Sequence, residues 1–250
     1  MTLEDIITGL PAPKPLRLSD SALFLDLDGT LAPIAARPQD VRPDPRRSQL
    51  VSRLESALGD RLAVVSGRTL GDVDRILENQ VVAVAAVHGL VRREPDGVVS
   101  QIEPHPGLPL AADRFRAFAA RDSGLIVEEK GGLSIALHYR LARAQAEAAR
   151  ACAEEIAGET GLILQHGDMV EELRTPGPDK GDSVRAFLDQ PPFKGAQPVF
   201  LGDDATDEHA FEAVQALGGI SILVGPMRDT HARFRLGGVD QVLTWLEAAL

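Results

Sequence analysis

The sequence predicts an α/β chain: an open parallel sheet wound with helices and interrupted by an inserted α+β unit. Three observations carry this reading. Short apolar runs alternate with segments of helical apolar spacing three times before residue 90, the pattern of a parallel sheet built from right-handed crossovers. The rhythm breaks at Pro95-Asp96-Gly97, a turn signal between two short strand-like runs. It resumes after Pro176-Gly177-Pro178, so the stretch between is a separate unit.

In chain order, residues 1–20 are a lead-in, with a short helix expected over 3–8 and an extended tether at Pro11, Pro13 and Pro15. The first buried strand ends at Asp26-Leu27-Asp28-Gly29-Thr30. Alternation puts Asp26 and Asp28 on one side of the chain. Two carboxylates so close repel, and the site either keeps one protonated or recruits a cation. Gly29 lets the backbone turn tightly enough for its amides to approach an anion. Prolines 33, 38, 43 and 45 delay the next helix until Leu50, Val51, Leu54 and Leu58.

A second strand over 62–65 ends at Ser66-Gly67-Arg68, and a helix follows at Val73, Ile76 and Leu77. The third strand, over 81–87, ends at His88-Gly89. Pro104, Pro106 and Pro109 then mark a boundary. Beyond it the signals are a helix over 111–120, strands over 125–129 and 133–139 joined by Gly131-Gly132, a helix over 142–157, and strands around Leu162 and Val170. The glycine pair is a hairpin signal, which makes this an antiparallel sheet carrying helices. Lys180 opens the next helix. A strand over 198–201 delivers Gly202-Asp203-Asp204-Ala205-Thr206-Asp207-Glu208, and a strand over 220–224 precedes a closing helix at Val242, Leu243 and Leu246. The expected organisation is a core of 21–108 with 177–250, and an inserted unit of 109–176.

Composition narrows the function. A net charge of -11 disfavours nucleic acid and anionic membrane as partners. The single cysteine, Cys152, allows no disulfide within the chain and fits a reducing compartment. The longest apolar run, 81–87, is too short to span a bilayer, and the N-terminus has no basic-then-apolar leader, so a cytoplasmic protein is expected.

Strand ends of a parallel sheet lie on one edge, which brings Asp26, Asp28, Ser66, Lys180, Asp203 and Asp207 toward one ligand. A carboxylate can attack phosphorus, a second can move protons, and a divalent metal needs oxygen ligands from the same edge. Lys180 and the Ser66 hydroxyl suit the non-reacting phosphoryl oxygens.

These motifs in this order resemble the haloacid dehalogenase (HAD) phosphatase superfamily, with its Rossmann-like core and inserted α+β cap. The resemblance implies Asp26 as nucleophile and Asp28 as general acid and then base. It also implies Mg2+ on the Asp26 carboxylate, the Asp28 main-chain carbonyl and Asp203. Ser66 and Lys180 match the superfamily's second and third motifs. Asp204 and Asp207 stand behind the metal, and Asp207 orients Lys180 or a metal-bound water.

The finer resemblance, over residues 22–246, is to the trehalose-6-phosphate phosphatase family. It rests on Val65-Ser66-Gly67-Arg68, His88-Gly89, Val127-Glu128-Glu129-Lys130, His138-Tyr139-Arg140, Val170-Glu171-Glu172-Leu173-Arg174 and the Gly202 to Glu208 motif. His209 departs from the family, which more often has an acidic residue there. The segment before Asp26 is short, with no room for the synthase domain sometimes fused to this enzyme. The resemblance implies magnesium-dependent hydrolysis of trehalose 6-phosphate through an aspartyl-phosphate. Arg68, His88, Gly89, Glu128, Lys130 and Glu172 would bind the substrate, with Glu128, Lys130 and Glu172 on the sugar and Arg68 on the phosphate.

The residues also admit plainer readings. Glu128, Lys130 and Glu172 could form the solvated face of a sheet. Arg68 either binds phosphate or pairs with nearby carboxylates, His88 and His138 read as hydrogen-bonded structural histidines, and Tyr139 and Trp245 read as packing residues. The competing functions are a phosphatase for another sugar phosphate and a non-catalytic sugar-phosphate sensor. A sensor need not keep Asp26, Asp28, Lys180 and Asp203.

Overall fold

The computed structural model describes residues 9–250, and the helix expected over 3–8 lies outside them. Two compact units divide the chain, 9–100 with Pro178–Leu250, and Gln101–Gly177. The division falls at the end of a β-hairpin rather than at the prolines around residue 108, where the sequence places it.

The first unit is built on β1 (Ser21–Leu25), α1 (Pro45–Ala57), β2 (Leu62–Val65), α2 (Leu70–Ile76), β3 (Ala83–Ala86) and the hairpin β4 (Val91–Arg93) and β5 (Val99–Gln101). The second unit contributes α3 (Leu108–Ala119), β6 (Ile126–Lys130), β7 (Ser134–His138), α4 (Ala146–Thr160), β8 (Ile163–Gly167) and β9 (Val170–Arg174). The chain then completes the first unit with α5 (Lys180–Leu188), β10 (Gln197–Gly202), α6 (Glu208–Ala216), β11 (Ile220–Val224), β12 (Phe234–Leu236) and α7 (Val239–Glu247).

The eight-stranded sheet runs β12-β11-β10-β1-β2-β3-β4-β5. Pairs from β12 to β3 are parallel, and β4 turns antiparallel to β3. Sequence order runs outward from β1 in both directions, so the topological switch lies between β1 and β10, where open α/β sheets place their ligands. β1, β2 and β3 are buried along their whole length, as strands covered on both faces must be. One face packs on Phe24, Phe187, Phe193, Phe200 and Phe211, with the Phe24 and Phe193 rings stacked at 5.5 Å.

From residue 9 the lead-in forms neither helix nor strand up to the turn at 18–20, and it is no loose tether. Arg235 N donates to Pro11 O at 3.0 Å, and the Trp245 indole donates to Lys14 O at 3.0 Å.

In the second unit the four-stranded antiparallel sheet runs β6-β7-β9-β8. Gly131 and Gly132 turn the β6–β7 hairpin at φ of +59° and +72°, where a β-carbon is strained. Ile135, Leu137 and Leu173 face α3 and α4 in one apolar core with Phe115, Ala149, Ala153 and Ile156. Period-two alternation then assigns Glu128, Lys130, Ser134, His138, Gln165 and Glu172 to the opposite face.

Candidate active site

The site starts where β1 ends. Asp26 N donates to Leu201 O at 3.0 Å, extending the β1–β10 pairing one residue and fixing Asp26 at the switch. Asp203 follows β10 directly. Gly29 turns the first loop at φ +80°, and a β-carbon there would lie 1.9 Å from Asp203 Oδ2, so only glycine lets the two loops meet.

Lys180 is the first residue of α5, whose N-terminus is closed by a reciprocal pair of Asp179 and Asp182. Its buried ammonium donates to Asp26 Oδ1 at 2.8 Å and Asp207 Oδ1 at 2.6 Å. Asp207 Oδ2 accepts from the amides of Asp203 and Asp204 at 2.9 and 3.0 Å. Asp207 therefore holds Lys180 with one oxygen and the β10 loop with the other. A β-carbon at Gly202 would sit 2.3 Å from Asp207 Cγ, which is why this loop also needs glycine. Asp204 caps the short helical turn behind the site, its carboxylate accepting from Ala205 N at 2.6 Å.

Oxygens of Asp26, Asp203 and Asp207 lie within 4.8 Å of one another. Burial pushes Asp26 up to about 8, against the pull of Lys180 and with the repulsion of Asp207 and Asp28. Burial, then Asp26 and Asp207, push Asp203 up to about 9. Burial alone would lower Lys180, but the same carboxylates hold it far above its ordinary value. Three carboxylates face one ammonium, more than it can balance once ionised, and the Asp203 carboxylate accepts no hydrogen bond among the described residues. This hard-oxygen donor set fits a divalent cation of the magnesium type.

The Asp28 side chain is not part of that cluster. Both its oxygens are taken by Arg68, with Nε to Oδ2 at 2.6 Å and Nη2 to Oδ1 at 2.8 Å. Of the two readings of Arg68, the structure displays carboxylate pairing. Ser66 Oγ, also buried, accepts from Arg68 N at 3.2 Å. His88 packs against this turn: its amide donates to Ser66 O at 2.9 Å, and a β-carbon at Gly67 would meet its ring at 2.3 Å. Gly89, at φ +103°, lies so close to the α5 cap that a β-carbon would be 2.7 Å from Asp179 O. His88 and Gly89 thus support the Ser66 turn and the Lys180 helix.

Arg228 shows no signal in the sequence. It lies after β11 and donates to Asp203 O at 3.3 Å and Asp204 O at 2.7 Å, while pairing with Glu208. This strut fixes the β10 loop from a Gly-Pro turn with no local motif, and only the folded chain brings it there.

In the second unit, Glu128, Lys130 and Glu172 share a sheet face. Lys130 and Glu172 are buried and ion-paired, and Ser134 Oγ donates to Glu172 Oε1 at 2.6 Å. The His138 ring meets Glu128 Oε2 at 2.8 Å. Burial would raise Glu128, but His138 and Lys130 hold it below the usual carboxylate range. These are not the charges of a solvated sheet face. Tyr139 is in the core, its hydroxyl donating to Glu171 Oε1 at 3.0 Å.

The trehalose-phosphatase family profile matches residues 24–240. A probable trehalose-phosphate phosphatase of Sinorhizobium fredii is 40% identical over 84% of this chain and 79% of its own length. Trehalose-6-phosphate phosphatase of Escherichia coli is 37% identical over 90% of this chain and 85% of its own. A crystal structure titled trehalose-6-phosphate phosphatase related protein superposes with a TM-score of 0.76 at 28% identity, covering 90% of this chain and 95% of that one. By the match of the family profile over residues 24–240 and by these relatives, the chain belongs to the trehalose-phosphatase family.

Proposed function

We propose that the chain hydrolyses trehalose 6-phosphate to trehalose and inorganic phosphate, the dephosphorylation step of trehalose biosynthesis, through a phosphoryl group carried on Asp26. The observation that carries this reading is the Asp26–Lys180–Asp207 chain of contacts beside Asp203 at the sheet's switch point.

Asp26 attacks phosphorus with a carboxylate oxygen, and the bond from phosphorus to the sugar oxygen breaks. Asp28 gives a proton to the departing sugar oxygen and then takes one from the water that hydrolyses the aspartyl-phosphate. Lys180 and the Ser66 hydroxyl hold non-bridging oxygens as their charge redistributes, aided by the positive end of α5. The Asp26 and Asp203 carboxylates and the Asp28 main-chain carbonyl would hold magnesium, whose charge would offset the carboxylates that otherwise repel the phosphate. Asp204 and Asp207 shape the loop behind it.

The second unit acts as the cap that selects the sugar, with Glu128, Lys130 and Glu172 as its contacts. The substrate is a small sugar phosphate, and the net charge of -11 disfavours nucleic acid as a partner. No helix of the described residues is long and apolar enough to cross a membrane. The single cysteine fits a reducing compartment, and the reading assigns the reaction to the cytoplasm.

Phosphate release from a panel of sugar phosphates, measured with magnesium, tests this reading. Trehalose 6-phosphate is expected to have the highest kcat/KM. A sucrose or mannosyl-glycerate phosphate turned over faster would move the chain to a related phosphatase, and no release from any member would favour a sensor.

A further inference from the structure

We propose that Arg68 serves this reaction as a positioning residue acting through Asp28, not as a ligand of the phosphate. The inference rests on the reading of Asp28 as general acid and base. All three guanidinium nitrogens of Arg68 are already on acceptors: Nε and Nη2 on the two Asp28 oxygens, and Nη1 on Pro38 O at 2.9 Å. Two parallel N–H to oxygen contacts fix the plane of a carboxylate as well as its distance.

The fork is itself held. Arg68 is buried, its amide donates to Ser66 Oγ, and its carbonyl accepts from Val87 N at 2.8 Å. The loop after β2 thereby sets the aim of a carboxylate on the loop after β1. The Asp28 side chain is a third exposed and would otherwise turn among its rotamers. A proton donor displaced by about 1 Å costs on the order of a hundredfold in rate. A lysine ammonium keeps the charge but cannot form the fork.

The test compares Arg68→Ala and Arg68→Lys with the parent, alone and in an Asp28→Asn background, with folding of each variant checked by its melting curve. On trehalose 6-phosphate, both single variants are expected to lose roughly ten- to a hundredfold in kcat with KM nearly unchanged. The double variants are followed on p-nitrophenyl phosphate, whose leaving group departs without a proton, so first-turnover release stays measurable without Asp28. Adding Arg68→Ala to Asp28→Asn is expected to change that release less than twofold. A raised KM with kcat kept, recovery of activity in Arg68→Lys, or a further loss of roughly tenfold or more in p-nitrophenyl phosphate release when Arg68→Ala is added to Asp28→Asn would overturn the proposal. Full activity of Asp28→Asn itself would instead remove the underlying reading of Asp28.

Discussion

The strand-end cluster of the first unit and the polar sheet face of the second are both buried sets of charges, yet they are balanced differently. At Asp26, Asp203 and Asp207 three carboxylates share one ammonium, and burial pushes Asp26 and Asp203 up to about 8 and 9. On the sheet face Lys130 answers Glu172 and His138 answers Glu128, which is held below its usual range. Unpaired buried charge is costly. At the strand ends the surplus is relieved by protons on Asp26 and Asp203, and under the proposed function a divalent cation would take their place. The sheet face needs no such balance, as its proposed ligand is a neutral sugar whose hydroxyls want fixed donors and acceptors.

The sharpest way to break this contrast is at Asp26. Asp26→Asn keeps the shape but removes the proposed nucleophile, and turnover is expected to fall by roughly a thousandfold or more with the fold intact. Steady-state phosphate release beside a melting curve measures it, and a sizeable residual rate would remove Asp26 from its role. Chelating divalent ions is expected to abolish hydrolysis, and magnesium to restore it. Because Asp26 and Asp203 bind protons up to about pH 8 and 9 without a cation, magnesium must displace protons. Its apparent affinity is therefore expected to rise with pH from 6 to 8, with proton release visible by calorimetry in buffers of different ionisation enthalpy.

Gly29→Ala probes the same cluster more gently. The added methyl falls on Asp203 Oδ2, so magnesium affinity is expected to drop about tenfold or more. An unchanged affinity would show that Asp203 is not a ligand. The smallest effect lies away from both clusters, at Glu55, which burial pushes up to about 7. A carboxyl raised on folding favours the folded state fully below its unfolded value, and that stability is lost as pH rises through 7. Glu55→Gln is expected to be neutral at pH 4–5 and stabilising by about 1 kcal/mol at pH 8, or about 2–4 °C in Tm.

The sequence made the first cluster readable because each carboxylate ends a short apolar run, so the strand and its payload are one local pattern. Asp207 ends no such run, and its role on Lys180 or on a metal-bound water came only from the family resemblance; the structure displays the contact with Lys180. Arg68 was ambiguous, since whether an arginine meets phosphate or carboxylate is decided by the loop carrying Asp28 and Pro38, far away in sequence. Arg228 was invisible, being tied to the β10 loop only by backbone carbonyls. β12 was missed because Arg235 interrupts its short apolar signal, and α6 was missed altogether behind the Asp203 to Glu208 acidic run. The buried state of Lys130 and Glu172 was also out of reach, because alternation assigns a face but not its cover.

The division of labour between the two clusters is tested most directly by one ratio: kcat/KM on trehalose 6-phosphate over kcat/KM on a small aryl phosphate. It is measured for the parent chain and for Glu128→Ala, Lys130→Ala and Glu172→Ala. A lost partner for a sugar hydroxyl costs about 1–3 kcal/mol, so each variant is expected to lower the ratio by roughly ten- to a hundredfold. The aryl phosphate rate should hold, because the strand-end cluster is untouched. A ratio unchanged in all three variants would contradict the account and leave the sheet face with no part in choosing the sugar.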